Sequence, residues 1–330
     1  MPNRRLHGSV NLIPEAPVGL IRDLAVEAER LGFKRSWVYD EGLATRDLYV
    51  TMTAIAEATD RLEVGPGITN AYTRHPAQTA TAIATLDELS GGRAFLGLGA
   101  GGSLTLDPLA LERVQPLETV RKTIEACRAL FAGEVVDLDA PTFSMRAAQL
   151  GWARPELPIW VAGRGPRMLD LGGATADGVM LDFIYKPLLG DYVEKIRTGA
   201  SRSGNKVSIC YSTMVVTDDA ALEEVRPHMT YRLVDSPAPV RTALGITDTD
   251  IATIRTALGD GLASAARHVP DEWVLPFVIA GTVDECATEL DALANEHSLD
   301  EFLLPIFNPH DGANRLEVTA QVLGGPGASV

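Results

Sequence analysis

Residues 60–103, DRLEVGPGITNAYTRHPAQTATAIATLDELSGGRAFLGLGAGGS, contain two short apolar strands with one helix between them, and this unit restricts the fold more than any other stretch. Leu62, Val64 and Ile68 are strand formers, but Gly65, Pro66 and Gly67 interrupt them, as happens at a bulge or where another group approaches the backbone closely. Pro76 suits the first turn of a helix. Ala80, Ile83, Ala84, Leu86 and Leu89 then recur at helical spacing until Gly91-Gly92 stops them. Ala94 to Leu98 forms a second buried strand that runs into Gly99-Ala100-Gly101-Gly102. On the residues alone, those glycines fit an ordinary turn as well as a ligand loop. Strands joined by a crossover helix run parallel.

The alternation continues along the chain. Strand signals fall near residues 7–12, 34–39, 62–69, 94–99, 158–162, 178–181, 207–216 and 301–307. Between them Leu20, Leu24, Ala28 and Leu31 share one helical face, as do Leu117, Val120, Ile124, Cys127 and Phe131. Thr282-Val283-Asp284-Glu285 reads as a capping box. Eight parallel strands are the number that closes a (β/α)8 TIM barrel, and the alternative is an open doubly wound sheet. The 330 residues fit a single barrel domain. Residues 134–150 read as a short hairpin-like excursion. Residues 218–280 are too long for a βα loop and read as a helical insertion between strands seven and eight. In a barrel that insertion overhangs the C-terminal face, where active sites are built, and it suits substrate selection.

A net charge of −15 argues against non-specific binding to nucleic acid or anionic membranes. Cys127, Cys210 and Cys286 are isolated and odd in number, which signals neither a disulfide framework nor a zinc site, and no histidine or cysteine spacing suggests any metal. The N-terminal stretch MPNRRLHGSVNLIPEAP has only a short apolar run after its two arginines, and no later stretch approaches membrane-spanning length, so a cytoplasmic location is expected.

In a barrel the strand ends carry the chemistry. They offer Asn11, then Tyr39-Asp40-Glu41, then Thr69-Asn70. Strand five ends in Ala162-Gly163-Arg164-Gly165-Pro166, where free N–H groups at a helix start and a nearby arginine could cradle a phosphate, or where glycines simply serve helix entry. His75 is a candidate acid in TRHP, and a structural hydrogen-bonder there just as readily.

The run GPGITNAYTRHPAQTATAIATLDELSGGRAFLGLGAGG, together with LPIWVAGRGPRMLDLGGATADGVML, resembles the luciferase-like flavin and deazaflavin oxidoreductases. Within them it is most similar to the coenzyme F420-dependent, methylenetetrahydromethanopterin reductase-like branch. The resemblance implies a barrel with an extended seventh loop and a cofactor ring resting against a strand-three bulge with a non-prolyl cis peptide, here Gly67–Ile68. It implies cofactor contacts from Asp40, Gly67, Ile68, Thr69, Asn70, Gly99, Ala100, Gly101 and Thr105, and a phosphate loop of Ala162, Gly163, Arg164, Gly165 and Pro166. The activity implied is hydride transfer between the deazaflavin C5 and a C=C, C=N or C=O group of a small molecule. Asp40, Glu41 and His75 are the candidate proton partners. The alternatives are an FMN-dependent two-component monooxygenase on the same fold and a barrel that binds flavin without turnover. Family members are commonly homodimers. Glu41 and Gly102 stand where sugar-phosphate dehydrogenases of the branch carry a histidine and a glutamate, and Asn11 stands where the pterin reductases carry a carboxylate.

Overall fold

The structure, a computed structural model, describes residues 6–324, so Arg4 and Arg5 lie outside the described residues. Its strands are β1 (His7–Leu12), β2 (Arg35–Val38), β3 (Glu63–Pro66), β4 (Thr69–Asn70), β5 (Leu96–Gly99), β6 (Val136–Asp139), β7 (Ser144–Ala148), β8 (Ile159–Ala162), β9 (Gly178–Asp182), β10 (Ser208–Ser212), β11 (Val215–Val216), β12 (Ile279–Ala280) and β13 (Glu301–Ile306). Nine of these form one parallel sheet in the order β3-β2-β1-β13-β10-β9-β8-β5-β4. β3 and β4 are two pieces of one broken strand. The N–H of Val64 donates to the Arg93 carbonyl (2.9 Å) and that of Phe95 to the Val64 carbonyl (3.2 Å), which joins the two ends of the sheet. The (β/α)8 barrel is therefore the architecture, and the open doubly wound sheet is excluded.

The break in the third strand follows from glycine placement. The Gly67–Ile68 peptide is cis. A Cβ on Gly65 would lie 2.3 Å from the Phe95 carbonyl oxygen, one on Gly97 would lie 2.1 Å from the Pro66 carbonyl oxygen, and one on Gly99 would lie 2.0 Å from Ile68 Cδ1. Only glycine on both strands lets the bulge sink against β5.

The crossover helices are α1 (Val18–Arg30), α2 (Leu48–Ala58), α3 (Pro76–Leu89), a short α4 (Ser103–Leu106), α5 (Pro116–Phe131), α6 (Pro166–Thr175) and α7 (Leu189–Ser203). The insertion supplies α8 (Asp219–Val234), α9 (Ala238–Ala243), α10 (Asp248–Leu258), α11 (Leu262–Ala266) and α12 (Asp271–Val274), and the last repeat supplies α13 (Val283–His297) and α14 (Gly312–Val322). The capping box at Thr282 and Glu285 forms at the start of α13. β6 and β7 pair antiparallel as the expected hairpin.

Inside the barrel Trp37, Phe95, Trp160, Met180, Cys210 and Leu303 pack together. Beneath them, at the N-terminal ends of the strands, Arg35 pairs with Glu301 and with Glu63 (2.6 Å), while Trp37 Nε1–H donates to Glu301 (3.1 Å). This charged, aromatic plug seals the bottom and leaves the C-terminal face open.

The seventh strand departs from expectation. Residues 207–216 do not form one strand, because β10 ends at Ser212 and Thr213 Oγ1 donates to the Phe277 carbonyl (2.6 Å). The chain then leaves the barrel, and β11 pairs with β12 to form the neck of the insertion. The insertion has its own apolar core. Val225, Met229 and Leu233 of α8 belong to it, together with Ile13, Phe183, Met214 and Phe307, which follow β1, β9, β10 and β13. The insertion thus roofs one half of the barrel mouth. Among the described residues the three cysteines are buried and unbridged, and no helix is long and apolar enough to cross a membrane.

Candidate active site

A cavity of about 400 Å³ opens at the C-terminal face. Twelve predicted site residues line it: Asp40, Glu41, Gly67, Ile68, Thr69, Asn70, Ala100, Gly101, Thr105, Ala162, Gly163 and Arg164.

Ile68 presents its side chain at the bulge, directly above Gly97 and Gly99. A Cβ on Gly67 would lie 2.6 Å from Asn11 Oδ1 and 2.7 Å from Trp37 Cβ, so the backbone at this point rests on the barrel interior without a side chain between. Asn11 Nδ2 donates to the Gly67 carbonyl (3.2 Å), while its buried Oδ1 has no hydrogen-bond partner among the described residues. An unpartnered buried acceptor beside a glycine cradle is the kind of group a bound ligand satisfies. Asn70 Oδ1 accepts from the N–H groups of Tyr72 (2.9 Å) and Thr73 (3.0 Å), an Asx turn that fixes the loop after β4.

Thr69 Oγ1 donates to Asp40 Oδ2 (2.5 Å). Burial nevertheless pushes the Asp40 carboxyl above the usual carboxylate range, against the pull of Thr69 and Arg74. Glu41 is pushed the same way, first by burial and then by the nearby charge of Glu15. Both groups are therefore biased toward the form that can donate a proton.

Gly163, Arg164 and Gly165 lead into α6, whose first residue Pro166 has no N–H and whose Met168 and Leu169 N–H groups donate to the Gly165 carbonyl (2.9 and 3.0 Å). The positive end of the helix dipole, with Arg164, therefore faces the cavity edge. On the adjoining strand end Gly101 takes φ +71°, and its carbonyl accepts from Arg113 (3.1 Å). Gly99, Gly165 and Pro166 do not line the cavity. Gly99 supports Ile68 from below, and Gly165 is the N-cap of α6, with Pro166 its first residue.

His75 is a correction to the expected proton partners. It lies outside the cavity as the N-cap of α3, where Nδ1 accepts from the Ala77 N–H (3.2 Å), Nε2 lies 3.2 Å from the Ser144 carbonyl, and the ring meets Phe143 edge-on. It ties the helix to the β6–β7 hairpin. Arg74 is likewise engaged, 3.5 Å from Asp47 and stacked over Tyr49.

Sequence reading missed one wall. Asp182 at the end of β9 and Tyr231, Arg232 and Asp235 from the insertion also line the cavity, with Tyr39 beside them. Arg232 is buried and pairs with Asp182 (2.9 Å), which in turn accepts from Ser212 Oγ (3.0 Å). Asp182 ends a buried strand, the position at which a barrel carries function, and could have been found on that ground. Nothing local distinguishes Tyr231 or Arg232 within α8.

The luciferase-like monooxygenase family profile matches residues 5–299. The chain belongs to that family. The luciferase-like chain is 33% identical to 5,10-methylenetetrahydromethanopterin reductase of Methanolobus tindarius over 292 residues, covering 86% of this chain and 89% of the relative. It is 32% identical over 277 residues to the phthiodiolone/phenolphthiodiolone dimycocerosates ketoreductase of Mycobacterium kansasii, covering 74% of this chain and 72% of that one. Its fold superposes on the coenzyme F420-dependent tetrahydromethanopterin reductase of Methanopyrus kandleri with a TM-score of 0.85 at 26% identity, over 96% of this chain and 98% of that one. Among the described residues no group of His, Cys, Asp and Glu is arranged to hold a metal.

Proposed function

We propose that the protein is a coenzyme F420-dependent oxidoreductase, transferring hydride between the deazaflavin C5 and a C=C, C=N or C=O group of an organic small molecule. The observation that carries this reading is the wall at Gly67–Ile68, where side-chain-free backbone, an unpartnered Asn11 oxygen and the Asp40 carboxyl meet in one cavity. The relatives support the reaction type, one being named a pterin reductase and another a ketoreductase, and the Methanopyrus kandleri structure, named as coenzyme F420-dependent, supports the cofactor. When bound, the deazaflavin supplies the hydride and the protein supplies position, exclusion of water and protons.

Each residue then has a task. Ile68, braced by Gly97 and Gly99, backs the ring, while Thr69, Asn70, Ala100, Gly101 and Thr105 border it. Gly163 and Arg164, at the positive end of the α6 dipole, hold the cofactor phosphate by backbone and positive charge. Asp40, oriented by Thr69, holds a proton at the edge of the ring, and Glu41 provides a second carboxyl in the same bay. The insertion closes the substrate side. We read the chain as one barrel domain of a cytoplasmic homodimer. The buried, unbridged cysteines support the location, and the exposed Leu43 and Val50 at and before the start of α2 support the dimer.

Titration with F420 and separately with FMN, followed by tryptophan fluorescence, tests the reading, since Trp37 lies directly beneath Gly67. Affinity on the order of micromolar for F420, with FMN much weaker, is expected. Preference for FMN would turn the assignment to the monooxygenase, and binding of neither would remove it.

A further inference from the structure

Resting on that reading, we propose that Tyr231, carried by the insertion helix α8, is the side chain that delivers the proton to a carbonyl substrate, with Arg232 setting its hydroxyl for the task. Arg232 is only 4% exposed. Its guanidinium donates to the His228 carbonyl (2.7 Å), to Asp182 Oδ2 (2.9 Å) and to the Tyr231 hydroxyl oxygen, and lies 4.3 Å from the Phe183 ring centre. Held at so many points, the charge cannot swing away.

A guanidinium has donors only, so in the bond between them Tyr231 is the acceptor and its own O–H must be directed elsewhere. That O–H has no recorded acceptor among the described residues, and the side chain lines the cavity. The charged groups facing it are Arg232 on its own helix, Asp182 on β9, Glu41 after β2 and Arg164 after β8, and Tyr39 is a further titratable neighbour. Burial raises the phenol, and Arg232 opposes that rise. Tyr39 is pushed well above its ordinary value, first by burial and then by the charge of Asp182, which acts on both tyrosines. Of the two tyrosines at the cavity, only Tyr231 is hydrogen-bonded to a cation that can carry the phenolate.

This selects the substrate class. Hydride from the reduced deazaflavin adds to the carbonyl carbon, and the C=O π pair moves to oxygen. The Tyr231 O–H bond breaks and a new O–H bond forms on that oxygen. The phenolate left behind is paired with Arg232 and regains its proton from water. An alkoxide must be protonated and is basic enough to take a phenolic proton outright, whereas hydride addition to an iminium gives a neutral amine that calls for no proton donor. The arrangement therefore fits a ketone or aldehyde.

The test uses the full-length protein with Tyr231→Phe and Arg232→Met. With reduced F420 and a ketone panel, Tyr231→Phe should lower kcat about 100-fold with KM and F420 affinity nearly unchanged. The readout independent of turnover is fluorine NMR of the cofactor-free protein labelled with 3-fluorotyrosine, where the resonance missing in Tyr231→Phe identifies this residue. It should titrate below Tyr39 in the native protein and move up in Arg232→Met. Retention of more than a third of kcat in Tyr231→Phe, or a Tyr231 resonance that ignores Arg232, would overturn the proposal. Failure to bind F420 would instead sink the cofactor assignment and leave the tyrosine–arginine coupling measurable.

Discussion

Along the ends of β4, β5 and β8 the cavity is walled by backbone and small residues, Gly67, Ala100, Gly101, Ala162 and Gly163, whereas α8 and the ends of β2 and β9 wall it with Tyr39, Glu41, Asp182, Tyr231 and Arg232. The first wall derives its shape from close contact and has little freedom to change. The second derives its properties from charge and is carried partly by an insertion with a separate apolar core. A fixed ligand suits the first, and a substrate that differs between relatives suits the second. The two walls should therefore fail in different ways.

The largest effect is expected at Gly97→Ala. Its Cβ would lie 2.1 Å from the Pro66 carbonyl oxygen, which is backbone and cannot rotate aside. A loss of about 3 kcal/mol or more is expected, read as a drop in Tm or in the denaturant midpoint. Gly99→Ala meets the end of the Ile68 side chain, which can move. It should fold, with F420 affinity down about tenfold because the wall has shifted. Equal stability losses in the two variants would break the picture of a backbone-built wall.

On the other side Asp182→Asn leaves Arg232 buried without its carboxylate. About 2 kcal/mol of stability should be lost, a figure reduced from that of a fully buried pair because Asp182 is 30% exposed. F420 binding should survive, since no part of the glycine wall is touched. Loss of cofactor binding with an unchanged melting curve would show that the walls are one unit.

The same division decides what the sequence could reveal. The barrel is legible because strand and helix periods are local, and the bulge is legible because glycines sit where β3 and β5 must touch. His75 misleads for a local reason too: before Pro76 the same ring serves as helix cap or as acid, and only the position of Ser144 and Phe143 decides for the cap. The break after Ser212 is hidden because Val215 and Val216 continue the apolar run while pairing with a strand far along the chain. Arg232 is the hardest to read, an arginine in a helix whose residues show no clear apolar face and whose partners Asp182 and Phe183 are brought near only by the closed barrel.

The smallest effect sharpens the charge argument. His228 stacks on Phe307 with ring centres 3.7 Å apart, and burial, then the Arg232 charge, lower its pKa to about 3. An unfolded histidine titrates near 6.5, so between these values the unfolded chain binds the extra proton and the native state does not. The contribution of this residue to stability is therefore complete above about pH 6.5 and falls as pH drops toward 3. Roughly 1 kcal/mol should be lost between about pH 7 and about pH 5.5, measured by denaturant unfolding at each pH. His228→Phe keeps the stack on Phe307 and removes the titration, so its stability should change less over the same interval. If the two profiles run parallel, the acid sensitivity belongs to other groups, and burial of a neutral His228 ring is not what ties the roof over the second wall to pH.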